Sequence, residues 1–108
     1  MPFAATWNAI QRQLRPGATV PNWTAAHGLL GDAFTITAVR PGHVEVDTPG
    51  AANIQTVSIG DFETVYNVWI PYCRGQVGRA EIVRTTRASK YAISILRWLE
   101  EQSGGVLP

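Results

Sequence analysis

The sequence predicts an α+β domain: an N-terminal helix, a three-stranded antiparallel meander, and two C-terminal helices packed on one face of the sheet. Three observations carry this. Apolar residues recur with helical spacing at the start of the chain, alternate in the middle third, and return to helical spacing afterwards. Pro-Gly pairs punctuate the alternating part, where hairpin turns are due. With 108 residues, 45% of them apolar, the chain has the size and composition of one domain, 1–108, with one modest core.

Pro2 suits a first helical position, because it has no N–H to leave unpaired and its φ is preset. Phe3, Trp7, Ile10 and Leu14 then form one stripe, and Pro16-Gly17 ends the helix. Residues 18–32 carry the weakest pattern. Val20-Pro21-Asn22-Trp23 cannot be a central strand, since Pro21 lacks a donor. Thr24 to His27 allows a helical turn, and Gly28 and Gly31-Asp32 read as loop. Trp23, Leu29 and Leu30 are expected to seal an edge of the core.

From Ala33 the period is two. Phe34, Ile36 and Ala38 alternate with Thr35, Thr37 and Val39, and Val44 and Val46 with His43, Glu45 and Asp47. Arg40-Pro41-Gly42-His43 between them fits a type II turn, and Thr48-Pro49-Gly50-Ala51 repeats that chemistry. Ile54 to Val57 completes the meander. Ser58 with Asp61 three residues on reads as a capping box, with Val57 and Phe62 placed as a hydrophobic staple. The helix that follows carries Phe62, Val65, Trp69 and Tyr72 or Cys73 at core spacing, with a kink or stop expected at Pro71 and an end at Gly75. Arg79 to Val83 is either a helical turn or a short strand.

The last helix, within Arg84 to Glu101, has the cleanest apolar period. Its start is expected at Thr86 or Ala88-Ser89. Ala88, Ala92, Ile95, Leu96 and Leu99 fall on one face. Arg87, Lys90, Ser94 and Arg97 fall on another, bordered by Tyr91 and Trp98. Ser103 to Pro108 reads as a flexible end.

The net charge of +1 hides an asymmetry. Between residues 74 and 97, six cations face Glu81 alone, a local +5; elsewhere three face seven acids, −4. Such segregation can mark a polyanion footprint. Arg84, Arg87, Lys90 and Arg97 are the candidate nucleic-acid-binding residues. Helix N-terminal amides there would favour phosphate, and Arg79 to Val83 packed across the helix would make a helix-turn-helix-like pair. Glu100 and Glu101 speak against this, since phosphate would repel them. The bland reading is a solvated face on an amphipathic helix.

The alternative is a homo-oligomeric small-molecule-binding protein with an aromatic pocket drawn from Trp23, Tyr66, Trp69 and Tyr72. Four tryptophans are many for this length, and a three-stranded sheet leaves edges open for a second subunit. A third reading is an enzyme using His43, Glu45 and Asp47, which share a strand face; the spacing of about 6–7 Å is too wide for one metal ion without further ligands. Cys73, the only cysteine, cannot form an internal disulfide and is expected as a buried structural thiol. Phosphate-loop, serine-elbow and zincin motifs do not occur, so neither a cofactor nor catalytic residues are implied. The first residues lack the basic flank and apolar core of a signal peptide, which points to the cytoplasm, and no apolar run is long enough for a membrane span.

The run Asp61-Phe62-x-x-Val65-Tyr66-x-x-Trp69-x-x-Tyr72, then Gly75, Arg79-x-Glu81-Ile82 and Thr86-x-x-Ser89-x-Tyr91-x-x-x-Ile95-Leu96-x-Trp98-Leu99, resembles small uncharacterised bacterial proteins of integron gene cassettes. The resemblance covers roughly the last 40 residues. It implies a mobile-gene origin, an α+β domain and a tendency to form homo-oligomers, and brings no activity or catalytic residues. Taken together, the sequence predicts a non-enzymatic nucleic-acid-binding or regulatory module, with the small-molecule binder as the alternative.

Overall fold

The stripe Phe3, Trp7, Ile10 and Leu14 is buried, as helical spacing requires, on α1 (Pro2–Gln13) and the residue that follows it. The structure is a computed structural model describing residues 2–108. After α1 come β1 (Thr19–Thr24), β2 (Gly28–Val39), β3 (His43–Asp47) and β4 (Gln55–Ser58). Four helices follow: α2 (Ile59–Tyr66), α3 (Trp69–Cys73), α4 (Arg79–Val83) and α5 (Ser89–Gln102).

The sheet has four antiparallel strands in the order β1-β2-β3-β4, not three. The added strand, β1, comes from the segment read as irregular. Pro21 bars only a central position; at the edge its missing N–H breaks no second ladder. β2 is correspondingly longer than expected. Where Pro21 pairs with Ala33 and Trp23 with Leu29, residues 30–32 lie opposite Asn22 alone, a bulge that holds Gly31 at φ +92°. It turns Leu29 and Leu30 outward, 68% and 46% exposed, so they do not seal the core as expected. Trp23 does pack against it.

A second bulge inserts Thr37 between Ile36, opposite Val46, and Ala38, opposite Glu45. The extra residue reverses the alternation. Val39 therefore pairs with buried Val44 and packs on the core, where the two-residue period had placed it outside. Thr48 to Ala51 turns as expected, with Ala51 N–H donating to the Thr48 carbonyl at 3.1 Å and Gly50 at φ +85°. The Arg40 to His43 turn does not: Gly42 lies outside the left-handed region, so it is not type II.

Ser58 and Asp61 form the capping box of α2, Asp61 N–H donating to Ser58 Oγ at 3.1 Å and Ser58 N–H to Asp61 Oδ2 at 2.9 Å. The helix then breaks at Asn67-Val68, earlier than Pro71. A proline ring collides with the carbonyl four residues back, here Asn67, so the break falls there. Pro71 instead sits in the first turn of α3, where a missing N–H costs little. Gly75, at φ +76°, closes α3 with a Schellman pair: its N–H donates to Tyr72 and that of Gln76 to Pro71.

α1, α2 and α5 cover one face of the sheet. Val20, Phe34, Ile36, Val44, Val46 and Val57 meet Ile10, Phe62, Val65, Ala92, Ile95, Leu96 and Leu99 in one buried cluster. α5 lies along β1 and against α2. The last six residues are not loose: Leu107 packs on the core and the Thr6 hydroxyl donates to the Pro108 main-chain oxygen at 2.7 Å. Among the described residues no helix is long and apolar enough to cross a membrane.

Candidate ligand-binding site

Three of the four aromatic residues expected in a pocket meet. Trp23 on β1 lies 6.0 Å from Trp69 and 6.4 Å from Tyr72, and these two, on α3, are 6.0 Å apart. Tyr66, before the break between α2 and α3, stays outside this stack, its ring edge-on to Phe3 at 5.4 Å, but it shares the lining of a cleft with Trp69. Trp69 and Tyr72 are almost wholly buried, so the cluster is a packed wall with a cleft on each side.

The first cleft, about 400 Å³, opens between the β1–β2 turn and the chain joining α3 to α4. Ala25, Ala26 and Val77 make its walls apolar, and Tyr72, His27 and Arg79 bring the polar groups. The Tyr72 hydroxyl accepts the Ala25 N–H at 3.0 Å, and its own proton has no acceptor among the described residues. Burial pushes the Tyr72 phenol above its ordinary range, against the Ala25 bond and the nearby Arg79 charge. His27 and Arg79 are exposed and form no ion pair among the described residues. No carboxylate lines this cleft among the described residues. A Cβ at Gly75 or Gly78 would meet nothing, so the passage at their end is open.

The second cleft, about 510 Å³, runs between α3 and the C-terminal segment, with Tyr66, Trp69, Ile70, Val106 and Leu107 in its walls. Glu100 also lines it. Its Oε2 accepts the Trp69 indole N–H at 3.0 Å and its Oε1 an Arg97 N–H at 3.0 Å. Arg97 also lies 3.0 Å from Glu101 and 4.8 Å above the Trp23 ring. Both carboxylate oxygens of Glu100 thus already accept hydrogen bonds from the protein's own donors.

The basic residues do not form one helical face. Arg84 and Arg87 stand exposed in the turns before α5. Lys90 occupies its first turn, 5.8 Å over the Tyr91 ring. Arg97 is held by the two glutamates. Ser94 is buried and accepts the Trp23 N–H at 3.1 Å, so it faces the sheet rather than a groove. α5 itself starts at Ser89, with no side-chain cap at Ala88.

His43 and Glu45 come together, Nε2 to Oε2 at 3.0 Å, with Arg40 Nε at 3.4 Å. The His43 hydrogen bond, aided by Arg40, holds the Glu45 carboxyl below its ordinary range. Asp47 stands exposed at the far end of β3. No three His, Cys, Asp or Glu side chains among the described residues gather as a metal site. Cys73 is exposed rather than buried as expected, because α3 turns that side chain outward. Its thiol is pushed up to about 11 by desolvation and the Glu100 charge.

Compared with known protein families, characterised proteins and solved structures, the chain matches none. The site is therefore defined by its own geometry. His27 and Arg79 are not singled out by the sequence, because no local period links a turn residue to a helix start 52 positions away. The one local signal near them was Gly75 as a helix stop.

Proposed function

We propose that the protein is a non-enzymatic small-molecule-binding module whose ligand occupies the cleft beside Tyr72. One observation carries this reading: an apolar cleft of about 400 Å³ in which the hydroxyl of buried Tyr72 accepts the Ala25 N–H and has no acceptor for its own proton among the described residues. Small-molecule sites are commonly apolar clefts of roughly 300–1,000 Å³ with a few converging polar groups. Trp23 and Trp69, packed on the Tyr72 ring, support it by holding that wall of the cleft in place.

A fragment screen followed by amide NMR tests the reading. Binders should perturb Ala25, Ala26 and His27 together with Gly75 to Arg79. A screen in which no fragment moves these amides at about 1 mM would remove the reading, since even weak sites register there.

The nucleic-acid-binding or regulatory module is a second reading. Arg74, Arg79, Arg84 and Arg87 support it: all four are exposed and none is ion-paired among the described residues. Self-association belongs to either reading, supported by the exposure of Leu29, Ile70 and Val106.

A further inference from the structure

We infer that the cleft beside Tyr72 takes a compact organic carboxylate: one anionic head on an apolar body. This rests on the small-molecule reading above and names its ligand class. Every charged or donating side chain that reaches the cleft favours an anion. Arg79 offers a planar fork of N–H donors matched to a carboxylate. Tyr72 offers a hydroxyl proton from a residue only 3% exposed. His27 offers a ring nitrogen from the opposite wall. A cationic ligand would find no carboxylate among the described lining residues.

The apolar share of the walls separates a carboxylate from a phosphate. Ala25, Ala26, Val77 and the Tyr72 ring take up an apolar body and leave little to hydrate a dianion. The backbone amide that a phosphate would seek is already used: Gly78 N–H donates to Glu81 Oε1 at 3.4 Å. That places an acid behind the amide, where a dianion would be repelled and a shielded monoanion paired with Arg79 less so. The volume, about 400 Å³, suits one ring with a short acidic arm.

Phenylacetate and its neutral isostere phenylacetamide are the probes, titrated into the full chain and followed by amide NMR at Ala25 to His27 and Gly75 to Arg79. Phenylacetate should bind more tightly than phenylacetamide. Arg79→Gln should weaken phenylacetate by about 10-fold or more and phenylacetamide far less, because only the anion gains a charge-assisted, two-pronged pairing with the fork. Arg79→Lys should restore part of the difference. Arg79 is exposed on a short helix, so both variants should keep the wild-type spectrum elsewhere. Equal binding of the two probes, or indifference of phenylacetate to Arg79→Gln, would overturn the carboxylate class and leave the small-molecule reading standing. Inorganic phosphate displacing phenylacetate from these amides would overturn the choice of anion. Fragments that bind the cleft while phenylacetate does not would overturn this inference alone; silence from all fragments would overturn both.

Discussion

The hydroxyl of Thr86 donates to Asp61 Oδ1 at 2.6 Å across 25 residues of sequence. The other oxygen of the same carboxylate accepts the Ser58 N–H at the start of α2. Thr86 in turn accepts the N–H of Ala88, just ahead of α5. One acid therefore fixes the entry of both long C-terminal helices.

The two capping residues should differ in weight. Ser58→Ala removes one acceptor and should lower stability by about 1 kcal/mol. Asp61→Ala leaves both the Ser58 N–H and the Thr86 hydroxyl without their partner and should cost more, about 2–3 kcal/mol. Urea denaturation of the two variants checks the order; equal midpoints would contradict the shared role of Asp61.

Cys73 should alkylate slowly near neutral pH despite its exposure. With its thiol near 11, the reactive thiolate is scarce at pH 8 and grows as pH rises toward that value. Glu100→Gln removes the one charge that raises it, so the iodoacetamide rate at pH 8 should increase. A wild-type rate matching a free thiol of ordinary pKa would refute this.

Arg97 and the other basic residues should separate cleanly. Arg97→Ala strips Glu100 of its partner and Trp23 of its cation, and should lower stability by about 1–3 kcal/mol without altering any salt dependence of polyanion binding. If nucleic acid binds at all, Arg84→Ala with Arg87→Ala should flatten the log K against log salt slope by about 1.8. Fluorescence anisotropy with duplex and single-stranded oligonucleotides measures it, and absence of binding to wild type would close the nucleic-acid reading.

Sedimentation at micromolar concentration should show a species heavier than the 11.8 kDa chain. Exposed Leu29, Ile70 and Val106 supply apolar surface for a second copy. A clean species at the chain mass would rule out self-association at that concentration.

Much of the fold was legible because its causes are local. The Phe3 to Leu14 stripe, the Ser58–Asp61 box, the Pro49-Gly50 turn and the buried ridge of α5 each depend on residues within a few positions of one another. Spacing and side-chain chemistry are enough to find such features. The same holds for Gly75, whose left-handed backbone ends α3.

What the tertiary structure alone decided depends on partners far along the chain. Pro21 excluded a central strand, but only pairing with β2 made Val20 to Trp23 an edge strand. The extra Thr37 shows only against β3, and it decided that Val39 points inward. Trp23 found Trp69 and Tyr72, while Tyr66, closer to them in sequence, packs its ring on Phe3 and meets Trp69 only as a wall of the second cleft. Arg97 looked free on a helical wheel until Glu100 and Trp23 claimed it. The cleft brings His27 to Arg79 only because the sheet and α3 place the β1–β2 turn beside the start of α4. Helical and strand periods describe which way a side chain points from its own backbone; which distant surface it then meets is set by packing the whole chain at once.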